Sequence, residues 1–234
     1  MKKIIKSFGL ISIISLTIAF TAACSSLDVV GQKSIKSFDT ILQAIPDQVT
    51  ADEMNGGWSL AAPDDSVRFI WSEDYSKSPL HDIMLEMDAT PFINAGLDTE
   101  KLPDNYTFYE NKLMVGTKLG NDTLTYKGES TPLASYEQIV NKYHKTVGYH
   151  TALDHYNVSL SDGNMFEWAK DMEKNSVSGE NQDKDIVFVL NPEPLIEAGV
   201  NPDEVDGWIY TTVNVDMNGK ATDVYKFLKP FDLK

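Results

Sequence analysis

The feature of this chain that most constrains its fold is an internal repeat. The segment from Asp82 to Asp98 reads DIMLEMDATPFINAGLD, and 103 positions later the segment from Asp185 to Asn201 reads DIVFVLNPEPLIEAGVN. Extended to Leu102 and Val205, the two segments are identical at six of 21 positions. Unrelated segments of average composition would share roughly one identity over this length. We therefore infer a duplication, which lets each candidate site be compared with the matched position of the other copy.

Patterns around this segment predict a protein of the α+β class with two tandem repeats, residues 34–130 and 131–234. Residues 34–42 and 135–143 are predicted helices, because apolar side chains recur at i, i+3 and i+7 behind a serine cap. Residues 57–60 and 157–160 are short extended pieces, and the mainly apolar runs 83–87 and 186–190 are predicted central strands. Each repeat is expected to run helix, strand, helix, strand, short helix and hairpin. The sheet is expected to be mixed or antiparallel, and one joined sheet or two separate sheets both remain possible.

The second helix of each repeat is predicted at a matched Phe-x-Trp element. In the second copy Trp168 and Met172 share a helical face at i, i+4, and in the first copy Val67, Trp71 and Tyr75 do the same. Residues 106–109 with 112–117 in the first copy, and 208–215 in the second, are further predicted strands. Asn218-Gly219 is a hairpin turn signal, and the stretch from Gly120 to Asp122 is its looser counterpart.

Residues 1–23 are interpreted as a targeting segment outside the fold. Three lysines lie within the first six residues, an apolar stretch follows, and Thr21-Ala22-Ala23 precedes the only cysteine, Cys24. This arrangement resembles the lipobox of bacterial lipoproteins, although Thr21 stands where leucine is usual. The resemblance implies cleavage before Cys24 and a diacylglycerol group on its thiol, with residues 24–33 as a tether. An ordinary secretory signal with a chance cysteine is the alternative.

The charge of the chain limits its partners. The net charge is −15, and removal of residues 1–23 would take away three lysines and no acid. Nucleic acid and anionic lipid headgroups require a cationic face, so neither is expected as a partner. We expect an extracytoplasmic protein held at the membrane by acyl chains on Cys24, with no cofactor.

The acidic residues of the repeat are candidates for acid–base chemistry, and the comparison of the copies argues against that role. Asp88 and Asp98 of the first copy are replaced by Asn191 and Asn201 in the second. An amide cannot exchange a proton near neutral pH, whereas Asp and Asn both accept backbone N–H bonds at a helix start. We therefore expect caps at these positions and no catalytic residue.

Three histidines, His144, His150 and His155, lie close together in the second copy. At the helix offset of 101 positions they fall opposite Gln43, Val49 and Met54, none of which could replace an imidazole at a metal site. Their spacings fit no single helical face. We expect a solvated helix end and no metal, with a divalent-metal site as the alternative, and His81 is expected at the surface.

The shared Phe-x-Trp element is the remaining candidate site. Phe69-x-Trp71 is followed by Asp74, and Phe166-x-Trp168 is followed by Asp171. Aromatic rings beside carboxylates can hold a sugar or a cationic ligand. Trp71, Trp168, Asp74 and Asp171 are the candidate ligand-binding residues, although a duplicated core would also retain both tryptophans.

These observations predict a non-catalytic binding lipoprotein, with a small ligand or a protein partner in a cleft between the two copies. Duplicated domains commonly form such a cleft, and clefts are where ligands bind. The alternatives are a hydrolase of cell-envelope or carbohydrate material that uses acids of one copy, and a structural or assembly lipoprotein.

Overall fold

The structure is a computed structural model that describes residues 29–150, 153–171, 184–217 and 220–233, with the backbone alone for residues 14–16, 214–217 and 220–223. In this part of the chain the helices are α1 (Val29–Ala44), α2 (Thr90–Asn94), α3 (Pro132–Lys142) and α4 (Glu193–Glu197). The strands are β1 (Ile14–Leu16), β2 (Val49–Asp52), β3 (Gly57–Ala61), β4 (Val67–Ser72), β5 (Ile83–Asp88), β6 (Tyr106–Tyr109), β7 (Lys112–Thr117), β8 (Val147–His150), β9 (His155–Ser159), β10 (Met165–Ala169), β11 (Ile186–Leu190), β12 (Ile209–Met217) and β13 (Lys220–Phe231).

These strands form two sheets, so the protein belongs to the α+β class. The first sheet has the order β2-β3-β4-β5-β7-β6, and all its pairs are antiparallel. The second has the order β8-β9-β10-β11-β13-β12, again antiparallel, with β1 added in parallel beside β12. Apart from β1, the two sheets have the same size and the same strand order.

The main helices and the central strands are confirmed, but the predicted second helix of each repeat is wrong. The segments around Trp71 and Trp168 are the strands β4 and β10. Positions i and i+4 lie on one face of a helix and also on one face of a strand, so the spacing from Val67 to Trp71 suits both structures. Both segments pair with neighbouring strands in the two sheets, and this tertiary pairing makes them strands.

Other boundaries also differ from the prediction. The stretch from Gly120 to Asp122 forms no hairpin, and the turn of the first repeat is at Glu110 and Asn111, whose φ angles are 46° and 63°. Asn218-Gly219 lies outside the described residues, although the flanking strands pair as far as Met217 and Lys220. Helix α1 begins at Val29, so residues 29–33 of the expected tether are helical. Strands β2 and β8 were not predicted.

One hydrophobic core joins the two halves of the molecule. Its buried residues come from the inner faces of both sheets and from both long helices. Helix α1 contacts α3 and β8 of the second half, and α3 contacts β3 and β4 of the first half. Each half therefore contributes the helix that covers the sheet of the other half.

Trp71 and Trp168 each bind the long helix of the other half. The Trp71 indole donates a hydrogen bond to the Pro132 carbonyl oxygen (3.1 Å), and the Trp168 indole donates to Ser37 Oγ (3.2 Å). The Phe38 ring lies between the two indoles, with centroid distances of 5.4 and 5.3 Å, and stacks on the Tyr136 ring at 4.2 Å. Each tryptophan thus contacts the helix of the other half.

Matched residues of the two halves also meet directly. The Phe69 and Phe166 rings stack at 4.7 Å with an interplanar angle of 1°. Near the short helices, the Asp98 amide donates to the Ala198 carbonyl (2.8 Å), and the Asn201 amide donates to the Ala95 carbonyl (2.7 Å). These reciprocal contacts join the two halves at matched positions.

The helix contacts correct the sequence alignment of the first block. Ser135 Oγ donates to the Ser72 carbonyl (2.8 Å), and Ser37 Oγ lies 3.5 Å from the Ala169 carbonyl. These contacts match Ser37 with Ser135, whereas the sequence comparison paired Ser34 with Ser135. The difference of three residues is nearly one helical turn, which preserves the apolar stripe and so conceals the shift.

No helix in the described part of the chain is both long enough and apolar enough to cross a membrane.

Candidate functional site

The predicted ligand-binding residues fall into two different environments. Both indoles, Trp71 and Trp168, are completely buried (0% exposed), so a ligand could contact them only from inside the core. Asp74 begins a surface turn, where its carboxylate accepts the Ser76 amide at 3.0 Å and pairs with Lys77 at 3.0 Å. Asp171 follows β10 and is partly buried. The structure brings the two tryptophans together around Phe38, and it assigns both to the core.

Capping is confirmed at Asp98 and Asn201, which are the N-caps of their 3₁₀ turns, whereas Asp88 and Asn191 lie one residue before the N-caps of α2 and α4 and bond the chain two residues further on. Asp88 Oδ1 accepts the Thr90 amide at 2.9 Å, and Asn191 Oδ1 accepts the Glu193 amide at 3.3 Å. In the following turns, the Asp98 and Asn201 side chains accept backbone amides two residues further on, at 3.2 and 3.4 Å. The Asp and Asn side chains act alike here because an amide oxygen accepts the same bond as a carboxylate oxygen.

A further matched pair of acids, Asp82 and Asp185, binds the backbone beyond the end of each sheet. Asp82 is completely buried, and its Oδ2 accepts the backbone amides of Leu119 and Gly120 at 2.6 and 3.0 Å. Asp185 Oδ2 accepts the Leu233 amide at 2.8 Å. Each carboxylate therefore ties down the chain just after the last strand of its own half, which is a structural role.

The histidine prediction is wrong for two of the three residues. His144 is exposed in a short 3₁₀ turn after α3, but His150 and His155 are buried, at 2% and 0% exposed. They lie directly opposite each other in the β8–β9 pair. His81 is partly buried, because its ring packs over Gly116.

The two buried histidines converge on Glu167 of β10. Strands β8, β9 and β10 are neighbours, and these three side chains project from the face opposite Trp168. The Nδ1 atoms of His150 and His155 each lie 3.6 Å from Glu167 Oε2. Glu167 is 1% exposed, so the cluster is an ionisable group enclosed on the outer face of the second sheet.

The charge of this cluster is governed by its two imidazoles. Burial by itself raises the pKa of the Glu167 carboxyl, but His150 and His155 outweigh burial and hold that pKa below its ordinary value. Among the described residues, Glu167 Oε1 and both ring nitrogens of His155 make no hydrogen bond. An ionised carboxylate between two imidazoles can hold and release a proton.

The cluster occurs in one half only. The strand pairings match His150 with Asp52, His155 with Gly57 and Glu167 with Ile70. The described residues contain no group of three or more His, Cys, Asp and Glu side chains arranged to hold a metal ion. The cluster therefore belongs to what distinguishes the second half from the first.

Sequence reasoning missed Glu167 because the Phe-x-Trp element was assigned to a helix. In the strand β10 the alternation Met165, Phe166, Glu167, Trp168 places the acid on the face opposite the two aromatic rings. An isolated acid between two large aromatic residues is the signal that could have identified it.

Scans against protein-family models, the curated proteins and the solved structures found no match to this chain.

Proposed function

We propose that this chain is a membrane-anchored extracytoplasmic lipoprotein that acts by binding a partner and not by catalysis. The anchor is argued from the N-terminal sequence alone, in which a positive segment, an apolar stretch and Thr21-Ala22-Ala23 precede Cys24. Cys24 lies outside the described residues. Acyl chains on its thiol would hold the folded body at a membrane surface.

The observation that carries the choice of ligand class is how the two halves meet. The Phe69 and Phe166 rings stack where a cleft was expected, and Phe38 fills the space between the two indoles. This argues against a small ligand between the halves. A protein partner is favoured, because it can use the outer edges and faces of two rigid sheets.

We also propose that the two halves arose by tandem duplication. Three observations support this origin: the sequence identities of the repeat, the shared strand order of the two sheets, and the reciprocal contacts between matched residues. The cluster of His150, His155 and Glu167 is then a later feature of one copy.

A hydrolase is the second candidate, and the same cluster is the observation in its favour. His150, His155 and Glu167 can exchange protons and occur in one copy only, as the enzyme hypothesis requires. Their near-complete burial makes substrate access depend on opening of the sheet face, so we rank this function second. A structural or assembly lipoprotein would act through the same surfaces as a binding protein.

The anchor is tested by expressing the full chain and the variant Cys24→Ser in a bacterial host. We expect the native chain in the membrane fraction, with an N-terminal peptide that begins at Cys24 and carries diacylglycerol by mass spectrometry. The variant should leave the membrane fraction. An unmodified Cys24 in a released native protein would contradict the anchor and leave an ordinary secretory signal.

Binding is separated from catalysis by incubating the purified chain with isolated cell-envelope polysaccharide and analysing released fragments by mass spectrometry. We expect no release. Release that Glu167→Gln abolishes and Asp88→Asn preserves would replace the binding proposal with the hydrolase. Asp88→Asn is the matched control, because the second half already has Asn191 at that position.

A further inference from the structure

The edge of the second sheet at β12 differs from the other sheet edges. Strand β12 has 9 residues, whereas β2, β6 and β8, which form the other edges, have 4 each. A long edge strand presents a row of N–H and C=O groups to which another strand can pair. The corresponding edge of the first sheet, β6, is too short to offer the same surface.

This edge is occupied by the chain's own N-terminal segment. Strand β1 pairs with β12 in register, Ile14 with Val213 and Leu16 with Val215. Among the described strands this is the one parallel pair, and all other pairs are antiparallel. Strand β1 lies inside residues 1–23, the segment that cleavage before Cys24 would remove. Such cleavage would open the edge of β12.

The side chains around the edge select a particular kind of guest strand. Val213 belongs to an apolar cluster on the outer sheet face, with Val187, Val189 and Leu228, and Ile209 packs against that cluster. A guest residue paired with Val213 lies on this apolar face, and the next residue lies on the opposite face. The pattern Ile14-Ser15-Leu16 has this alternation of apolar and polar residues.

We propose that, in the processed protein, the edge of β12 binds an extended segment of a partner protein whose apolar residues occur at alternate positions. The binding mode is β-strand addition, in which main-chain hydrogen bonds supply affinity and the apolar face selects side chains. The proposal rests on the proposed cleavage before Cys24 and names the partner class of that function. The described β1–β12 pairing shows that a short apolar strand fits this edge.

The test uses the processed chain, residues 24–234 with Cys24→Ser, and a synthetic peptide of residues 10–18 with two added lysines at each end. Binding is measured by fluorescence anisotropy, and hydrogen exchange with mass spectrometry locates the protected segment. A control peptide carries Ser15→Pro and Leu16→Pro, so that at least one lost N–H falls on a pairing position. A second control has the same composition in scrambled order.

We expect saturable binding of the native peptide, with protection of residues 209–217 and none at β6. The proline peptide should bind at least roughly tenfold more weakly, because paired N–H donors are lost. Absence of binding, equal binding of the proline peptide, or protection confined to another segment would overturn the proposal. Dimerisation of the processed chain through β12, detected by light scattering and by exchange, would also overturn it, since a second copy would then be the occupant.

These outcomes separate from those of the proposed function. The peptide experiment supplies residues 24–234 directly, so it does not depend on whether a cell cleaves the chain. A protein that is anchored and acylated but does not bind the peptide would support the lipoprotein proposal and contradict the proposed binding at β12. A protein that binds the peptide but is never cleaved in the cell would show that the β12 edge binds a strand and would contradict the lipoprotein proposal.

Discussion

At the scale of single residues, Gly96 and Gly199 are required because two backbones come together there. Their φ angles are +104° and +103°, and a Cβ atom on either would lie 2.8 Å from the carbonyl oxygen of the other glycine. Both a left-handed conformation and a close approach therefore exclude a side chain. A positive φ is common for a glycine that follows the end of a helix, but the approach of the two halves belongs to the tertiary structure.

We expect Gly96→Ala and Gly199→Ala each to lower the free energy of unfolding by roughly 2–5 kcal/mol, from left-handed strain and overpacking together. The matched control is Gly128→Ala, where φ is +117° and no atom lies within 4 Å of the added Cβ. The control should lose only about 1–2 kcal/mol, the cost of the conformation alone. Urea unfolding of the three variants measures this difference, and equal losses would show that the close approach contributes nothing.

The buried carboxylate Glu167 makes a prediction about pH. Its folded pKa lies below its ordinary value of 4.5 because the two imidazoles outweigh burial. The stability it contributes is therefore present above pH 4.5 and is lost as pH falls through the folded pKa. Glu167→Gln should cost roughly 3–5 kcal/mol near neutral pH, since it leaves the histidines without their carboxylate. In urea unfolding, its difference in stability from the native chain should stay constant above about pH 4.5 and narrow as the pH falls below that value.

Glu86 is a control for which the expected pH dependence of stability has the opposite sign. Burial raises the pKa of the Glu86 carboxyl above 4.5, although Arg68 opposes this. Because ionised Glu86 destabilises the folded protein, the native chain loses stability as the pH rises above 4.5. The free energy of unfolding of Glu86→Gln should therefore increase relative to that of the native chain with rising pH. The same pH trend in both variants would contradict the assigned causes of the two pKa shifts.

At the scale of elements, each long helix depends on the tryptophan of the other half. The Trp71 indole binds α3 through Pro132, and the Trp168 indole binds α1 through Ser37. Neither contact is local in sequence, so the pattern of the helices themselves does not reveal it. This exchange gives both tryptophans a structural role in the shared core.

We expect Trp71→Phe to raise hydrogen exchange mainly in α3 and Trp168→Phe mainly in α1. Each change removes one indole hydrogen bond and part of a ring from the core, for a loss of roughly 1–3 kcal/mol. Hydrogen exchange with mass spectrometry gives the location, and the two variants serve as controls for each other. A larger increase of exchange in the helix of the mutated half than in the helix of the other half would contradict the crossed arrangement.

At the scale of the whole molecule, the crossed helices make the two halves interdependent. Residues 24–130 alone would leave the inner face of the first sheet without α3, and residues 131–234 alone would lack α1. We expect neither fragment to unfold cooperatively as a monomer, because exposed core surface forfeits roughly 25 cal/mol per Å². Mixing the two fragments should restore cooperative unfolding, measured by circular dichroism together with size-exclusion chromatography.

The full chain is the control for the fragment experiment. A fragment that forms a homodimer would remain consistent with exchanged helices, because a second copy could supply the missing helix. A monomeric fragment with the stability of the full chain would contradict the interdependence of the halves.

Much of the local structure was predictable. The helices α1 and α3, the strands β5, β6, β7 and β11, and the caps at Asp98 and Asn201 follow from periodicity and backbone chemistry within a few residues. The candidate cluster was not predictable, because His150, His155 and Glu167 meet only through the pairing of three strands.

The sequence by itself determined an α+β chain with two long helices, central strands and turns capped by Asp98 and Asn201, because these depend on neighbours along the chain. Only the tertiary structure decided that the Phe-x-Trp element is a strand, that the helices cross between halves, and that Glu167 lies between two imidazoles. Those features depend on residues far apart in sequence, whose association is set by burial of a shared core rather than by local preference.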